Sequence, residues 1–336
     1  MSRGITVLGA GAWGTALASV LAKNGHDVTL WAREPEVVDS VNARHRNEIF
    51  LPEVALPPSL LATGDLGSAV RGAGLLVNVV PAQFVRSVWS GVAMDVDPRA
   101  TVVSASKGIE TETLERMDQV LGGILTPEVM SRFTVLSGPS FALEVAQEAP
   151  TLVVAASRDP SAAERVQGLF QNRFFRVYTN PDVVGVELGG ALKNVIAVAA
   201  GVAAGLGFGH NTMAALVTRG LAEMTRLGVA MGARRETFAG LAGMGDLVLT
   251  CTGELSRNRT VGYRLGRGET LSDILGPMRT VAEGVKTVQA VQVLARRHGV
   301  EMPIAAEVHA MLTEGRPPRE ALDNLMSRAP RPEEWT

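Results

Sequence analysis

The most constraining feature of the chain is a junction near its start. The apolar run Ile5–Leu8 passes through GAGAWG into the helical pattern Thr15–Lys23. Gly9, Gly11 and Gly14 fit G-x-G-x-x-G at that passage, and a second strand-like run, Asp27–Trp31, follows. Each glycine has a task there: a tight turn, a backbone close to a pyrophosphate, and a helix packed tightly on its strand. Free amides and the dipole at the helix start favour an anion. The unit predicts dinucleotide binding, with a phosphate-free glycine turn as the alternative. The residue after the second strand selects the cofactor, because an acid there holds a ribose hydroxyl and an arginine accommodates a 2′-phosphate. Arg33 precedes Glu34. That order favours NADPH and leaves NADH tolerated, unless both are solvated loop charges.

The alternation continues. Leu75–Val80, Thr101–Ser106, Phe133–Leu136 and Thr151–Ala155 are near-continuous apolar runs with helical segments between them, and Phe174–Tyr178 suits an added edge strand. Such runs are expected of parallel strands covered on both faces. The pattern is a Rossmann-type doubly wound sheet, whose ligands bind beyond the carboxyl ends of the strands. Three of those ends carry polar or unusual residues. Val80-Pro81-Ala82-Gln83 suits the nicotinamide half of a cofactor; Ser104–Gly108 sets Lys107 in the ligand crevice, or else on the surface. Ser137–Ser140 is a glycine–proline turn opening a helix Phe141–Gln147, with Ser140 as its cap.

After Tyr178-Thr179-Asn180-Pro181 the strand pattern stops and helical periodicity takes over. A length of 336 residues, at ~150 per domain, allows two domains: a doubly wound α/β unit at 1–180 and an all-α unit at 181–336. Val184–Gly201 sets one cation, Lys193, in a helix face lined by Gly185, Gly189, Ala197 and Gly201. Glycine inside a helix costs roughly 0.5–1 kcal/mol, so the stripe needs a reason. One is close helix packing around a lysine that snorkels to water; the other is an ammonium at the floor of a substrate cleft. Further on, Gly243-Met244-Gly245-Asp246 puts an acid after a glycine turn. Ser256 suits a cap for a helix carrying Arg257 and Asn258, a start fitted to a phosphate dianion. Arg257 and Arg259 on a solvated face are the alternative. Arg219, Arg226, Arg234 and Arg235 read as surface charges.

A formal charge of −2 gives no reason to expect nucleic acid or an anionic membrane. The single cysteine, Cys251, forbids an internal disulfide, fits a reducing compartment and, flanked by apolar residues, reads as core. The five histidines are too scattered for a metal site, so no metal is expected, and His210 receives no role. No secretory leader is visible before Ile5. Asn194–Thr218 lacks Asp, Glu, Lys and Arg over a length that can cross a bilayer. The breaker Gly205–Asn211 instead predicts two buried helices joined by a glycine loop, and no membrane insertion. Arg316–Arg319 and Arg328–Thr336 read as loosely held.

Together GAGAWGTALA, SASKGIE, LSGPSFALEVA, ELGGALKNVIAVAAG, LVTRGLAEMTRLG, AGMGDLVLTC and SRNR resemble bacterial NAD(P)-dependent glycerol-3-phosphate dehydrogenase, in the family's order along nearly the whole chain. The resemblance implies reduction of dihydroxyacetone phosphate to sn-glycerol 3-phosphate for phospholipid synthesis. It also implies a cytoplasmic homodimer with a Rossmann N-terminal domain and a helical C-terminal one. By motif, it makes Lys193 in ALKN, Lys107 in SKG and Asp246 in GMGD the catalytic residues. Substrate contacts carried over are Lys107, Gly138, Ser140, Lys193, Asp246, Ser256, Arg257 and Asn258. Cofactor contacts are Gly9, Gly11, Ala12, Trp13, Gly14, Arg33, Lys107, Ala142, Arg257, Val281 and Glu283. Ala12 departs from the serine or asparagine of many relatives, so backbone amides must serve the pyrophosphate there.

The chemistry agrees with that assignment. Hydride reaching a ketone carbon leaves an alkoxide that needs a proton and positive potential, and a lysine with an ordinary pKa of ~10.4 supplies both. Asp246 is placed to orient Lys193. Two rivals are a hydroxyacid or ketopantoate-like reductase, which should want a carboxylate site rather than SRNR, and a non-catalytic cofactor-gated binding module. The second gives no reason for Lys107, Lys193 and Asp246 together.

Overall fold

The computed structural model describes residues 4–278, 282–330 and 332–333. It forms two compact units, Met1–Lys107 with Glu115–Val186, and Gly108–Leu114 with Glu187–Thr336. In the first, eight strands form one sheet: β1 Ile5–Leu8, β2 Val28–Trp31, β3 Leu61–Thr63, β4 Leu75–Asn78, β5 Thr101–Ser104, β6 Thr134–Ser137, β7 Thr151–Ser157 and β8 Phe175–Asn180. Their order is β3-β2-β1-β4-β5-β6-β7-β8. β1, β4, β5 and β6 are buried along their whole length, which explains their unbroken apolar sequence. β3 was not expected from the sequence. Three residues are too few to display alternation, and the first of them, Leu61, is exposed.

The sheet is doubly wound at β1, which pairs with β2 on one side and β4 on the other, all parallel. Leu8 stands level with both Trp31 and Asn78, and Asn78 with Ser104. The turns after β1, β2, β4 and β5 therefore share one edge. The apolar runs reach past the ladder, because Val79–Val80 and Ala105–Ser106 already belong to these turns. Helix α1 (Ala12–Lys23) buries Ala16, Leu17, Val20 and Leu21 in the core with Val7, Leu30, Val77 and Val103. β7 runs antiparallel to β6, so the chain between them need not cross the sheet. Its short helix, labelled α3 (Ala142–Ala146) with α2 the earlier Pro35–Arg44, stays at the carboxyl end of β6. The next helix, α4 (Pro160–Phe170), returns the chain to β8, parallel to β7.

The second unit is helical. Its principal elements are α5 (Val183–Gly205), α6 (His210–Ala230), α7 (Asp246–Thr252), α8 (Arg257–Gly266), α9 (Glu283–Arg297), α10 (Pro303–Thr313) and α11 (Pro318–Met326). α5 is long and apolar enough to cross a membrane but is buried in the protein. α6 departs from the expected second buried helix: of its residues only the stretch from Gly220 to Gly228 contributes buried side chains. The stretch from His210 to Thr218 lacks Asp, Glu, Lys and Arg without being apolar, since Asn211, Thr212 and Thr218 interrupt it. The glycine stripe of α5 meets backbone. A Cβ at Gly189 would lie 2.5 Å from Ala242 O, and Cβ atoms at Gly201 and Gly205 would overlap the Arg259 and Tyr263 carbonyls of α8. Gly262 and Gly266 of α8 return the contact against Val198 and Val202. Arg316 is anchored, not loose: its guanidinium pairs with Glu307 at 2.8 Å, and Pro318 opens α11.

Candidate active site

The turn after β1 is shaped by what glycine lacks. Gly9 has φ +110°, and a Cβ there would sit 2.9 Å from the carbonyl of Val79, beyond β4. A Cβ on Gly14 would overlap Gly9 O, while one on Gly11 would meet nothing within 4 Å. Gly11 is the N-cap of α1 and provides no side chain to cover the amides of Ala12 and Trp13. The indole Nε1 of Trp13 is buried without a hydrogen-bond partner. An orphaned donor beside open helix amides suits the phosphates and ribose of a dinucleotide, so these residues fit the cofactor. Arg33, past β2, is exposed and touches Glu34 at 3.0 Å.

Two further strand ends meet in a hydrogen-bond network that the sequence reading missed. The buried Asn78 amide donates to Ser104 Oγ at 3.4 Å and to Ser106 Oγ at 2.9 Å, and accepts from Trp89 Nε1 at 2.9 Å. Ser106 Oγ donates on to Val80 O. The signal was a polar residue inside the apolar run LLVNVV. The network fixes the turn at Pro81 against the turn carrying Lys107. Lys107 Nζ then donates to Gly138 O at 3.1 Å, and Ser140 Oγ donates to the same carbonyl at 2.9 Å. Gly138, at φ +146°, has no room for a Cβ, which would lie 2.9 Å from Val153 Cα. Lys107, Gly138 and Ser140 are therefore brought together as expected. Ser140 is not the cap of α3, however. Phe141 holds that position without a side-chain bond, and the Ser140 hydroxyl is turned back to Gly138. Ala142 opens α3.

In the second unit Lys193 is buried near the middle of α5. Its ammonium lies 2.8 Å from Asp246 Oδ1 and 2.7 Å from Thr250 Oγ1. Thr250 donates its own proton to the Asp246 carbonyl at 2.6 Å, so its oxygen is left to accept from the lysine. The glycines before Asp246 form a π turn, Leu241–Gly245, continuous with α7, instead of the simple turn expected. Such wide turns recur at functional sites because they redirect one side chain within a helix. Burial pushes the neighbouring Cys251 thiol up to about 12, which keeps it protonated and un-nucleophilic.

Ser256 caps α8, accepting from Arg259 N at 3.3 Å, and Arg257 in its first turn is exposed. Asn258 is buried and committed to protein: its amide nitrogen donates to Asn194 Oδ1 at 3.0 Å and its oxygen accepts from Gly284 N at 3.0 Å. Glu283 opens α9. Val281 lies outside the described residues. Thr250 and Asn194 were missed because a threonine or asparagine inside a helix gives no spacing signal of its own. Among the described residues no group of three or more His, Cys, Asp or Glu could hold a metal.

Comparison with known proteins follows the same division. Residues 4–163 match the model of the NAD-dependent glycerol-3-phosphate dehydrogenase N-terminus, and residues 182–323 that of the corresponding C-terminus. The chain is 60% identical, over 335 residues and the full length of both, to the glycerol-3-phosphate dehydrogenase [NAD(P)+] of Geobacter sulfurreducens. It is 60% identical over 333 residues, 99% of each chain, to that of Geobacter metallireducens. Among solved structures, the glycerol-3-phosphate dehydrogenase of Coxiella burnetii superposes with a TM-score of 0.92 at 38% identity, covering 97% of this chain and 99% of that one.

Proposed function

The chain belongs to the NAD-dependent glycerol-3-phosphate dehydrogenase family, and from that premise we propose that it reduces dihydroxyacetone phosphate to sn-glycerol 3-phosphate for phospholipid synthesis, with Lys193 as general acid. It is an NAD(P)-dependent oxidoreductase. The observation that supports the Lys193 assignment is its setting: a buried ammonium with carboxylate and hydroxyl acceptors at 2.8 and 2.7 Å, on a helix otherwise lined by small residues. Asp246 and Thr250 hold the amine in one place, which is what a positioned proton donor requires. The cofactor, when bound, supplies the hydride. Lys193 gives its proton to the carbonyl oxygen of the substrate as negative charge develops there, and regains one from solvent afterwards. Its positive charge stabilises that oxygen before transfer.

The amides of Gly11, Ala12 and Trp13 take the pyrophosphate, and Arg33 takes the 2′-phosphate of NADPH. The exposed Arg33–Glu34 pair is no obstacle. Such pairs contribute about 0–1 kcal/mol, whereas a hydrogen bond to a charged group contributes ~1.5–3 kcal/mol. A phosphate therefore displaces Glu34 readily, and without it Glu34 can serve the ribose of NADH. Lys107, Gly138 and Ser140 contact the substrate, and Arg257 at the Ser256-capped helix start binds its phosphate. The same reading makes the enzyme a cytoplasmic homodimer. The deciding assay is loss of NADPH absorbance with dihydroxyacetone phosphate compared with unphosphorylated dihydroxyacetone. Equal turnover of the two would remove the phosphate site, and no turnover of either would remove the activity.

A further inference from the structure

The carbonyl of Ala10, in the middle of the glycine turn, is held from behind by a residue far along the chain. Asn47 lies fully buried between α2 and β3. Its amide nitrogen donates to Ala10 O at 2.8 Å and to Thr15 Oγ1 at 2.8 Å, and Thr15 Oγ1 donates to the same Ala10 oxygen at 3.2 Å. The Asn47 side-chain oxygen accepts from Phe50 N at 3.1 Å. That last bond fixes which end of the amide faces the turn, since only the nitrogen can donate to a carbonyl.

The consequence follows from peptide geometry. In a trans peptide the C=O of one residue and the N–H of the next point in opposite directions, and the described chain contains no cis bond. Drawing Ala10 O inward onto Asn47 and Thr15 therefore turns the Gly11 N–H outward. Gly11 is the N-cap of α1, and beside its Cα the space is open, with nothing within 4 Å of where a Cβ would stand. The donor is aimed at the place where an anion at the helix start would lie. A rotation of that one peptide would replace the donor with a carbonyl oxygen, exchanging attraction for repulsion.

We propose that Asn47, acting with Thr15, is the positioning residue for the cofactor pyrophosphate: it touches no ligand and sets the direction of the Gly11 amide. This rests on the dinucleotide reading of the turn. It also accounts for a buried asparagine whose hydrogen bonds tie a loop to a carbonyl 37 residues away. Sequence spacing gives no hint of the pairing.

The test measures Kd for NADPH by cofactor fluorescence, and for adenosine 2′-monophosphate, which lacks the pyrophosphate, by calorimetry. Asn47→Leu should weaken NADPH about tenfold and Thr15→Val about threefold. Both should leave adenosine 2′-monophosphate unchanged and kcat at saturating NADPH within about twofold. General loosening of the fold would weaken both ligands together, and that result overturns the assignment, as does an unchanged NADPH Kd in either variant. Thr15→Val keeps the side-chain shape and decides alone if Asn47→Leu fails to fold. Wild-type protein that binds no dinucleotide would instead overturn the cofactor reading of the turn, and the Asn47 role with it.

Discussion

Replacing Asp246 by alanine tests the buried ion pair on which the proton-donor assignment depends. Lys193 and Asp246 are 5% and 1% exposed, with 2.8 Å between Nζ and Oδ1. At an effective dielectric constant of ~20, charges that close attract by about 6 kcal/mol before desolvation is counted. Removing one partner of such a pair leaves a buried charge uncompensated and costs ~3–5 kcal/mol. Asp246→Asn keeps the shape and an acceptor, so its loss should be smaller, about 1–3 kcal/mol. Lys193→Met/Asp246→Leu removes both charges and should recover most of the stability, because a buried pair and an apolar pair of similar volume are often equivalent. Urea unfolding should be followed by far-ultraviolet circular dichroism, since Trp13, Trp31 and Trp89 all report on the sheet unit. Activity should diverge from stability: kcat of Asp246→Asn should fall by about 10²-fold through a misplaced amine, and the double variant should be inactive although well folded. Losses below ~1 kcal/mol in both single variants, or a double variant as unstable as Asp246→Ala, would refute the reasoning.

Lys193→Met alone should lower turnover by about 10²–10⁴-fold while NADPH still binds; near-normal turnover excludes it as the acid. Arg257→Ala should raise KM for dihydroxyacetone phosphate by an amount equivalent to about 1.5–3 kcal/mol, and an unchanged KM counts against phosphate pairing. Arg33→Ser should erode the preference for NADPH over NADH, measured as the ratio of kcat/KM with the two cofactors; a constant ratio removes the assignment. Glu223 provides a pH test remote from the turn. Burial raises its carboxyl to about 7 although Ile304 N at 2.8 Å and Ala305 N at 3.2 Å donate to it. A raised folded value means that stability is greatest below the ordinary carboxylate range and falls as pH rises through about 7. Glu223→Gln should therefore be about 1–3 kcal/mol less stable than wild type in acid, for the lost second acceptor, and should gain about 3 kcal/mol on it as pH rises through about 7, ending slightly the more stable; parallel pH profiles would count against the burial argument.

The sheet was legible because its signals are local. Strand, glycine turn, helix and strand occupy Ile5–Trp31 without interruption, and burial on both faces forces the apolar runs that mark β4, β5 and β6. What stayed hidden required partners distant in sequence. Asn78 holds Ser104 and Ser106, and Asn47 holds Ala10. No periodicity announces such pairs, because each depends on register that exists only after the sheet forms. β3 failed for a different reason, its brevity. Ser140 failed because a hydroxyl before a helix has two nearby acceptor choices, and here a carbonyl two residues back won over the cap.

The helical unit shows why two readings of one motif need not compete. The glycines of α5 are explained by packing: Gly189, Gly201 and Gly205 let backbone approach where any Cβ would collide. That is the plain alternative, yet its other half fails, because Lys193 does not reach for water and instead faces Asp246 and Thr250. The two facts are linked. A helix packed this closely keeps its central lysine buried, and an acid within reach compensates the charge. The π turn Leu241–Gly245, against which Gly189 packs through Ala242, is what brings Asp246 there. Close packing thus creates the low-dielectric setting in which a positioned ammonium acts most strongly on developing charge. A bulky side chain at Gly189 should therefore disturb stability and turnover together, because it would collide with Ala242 of the turn that carries Asp246.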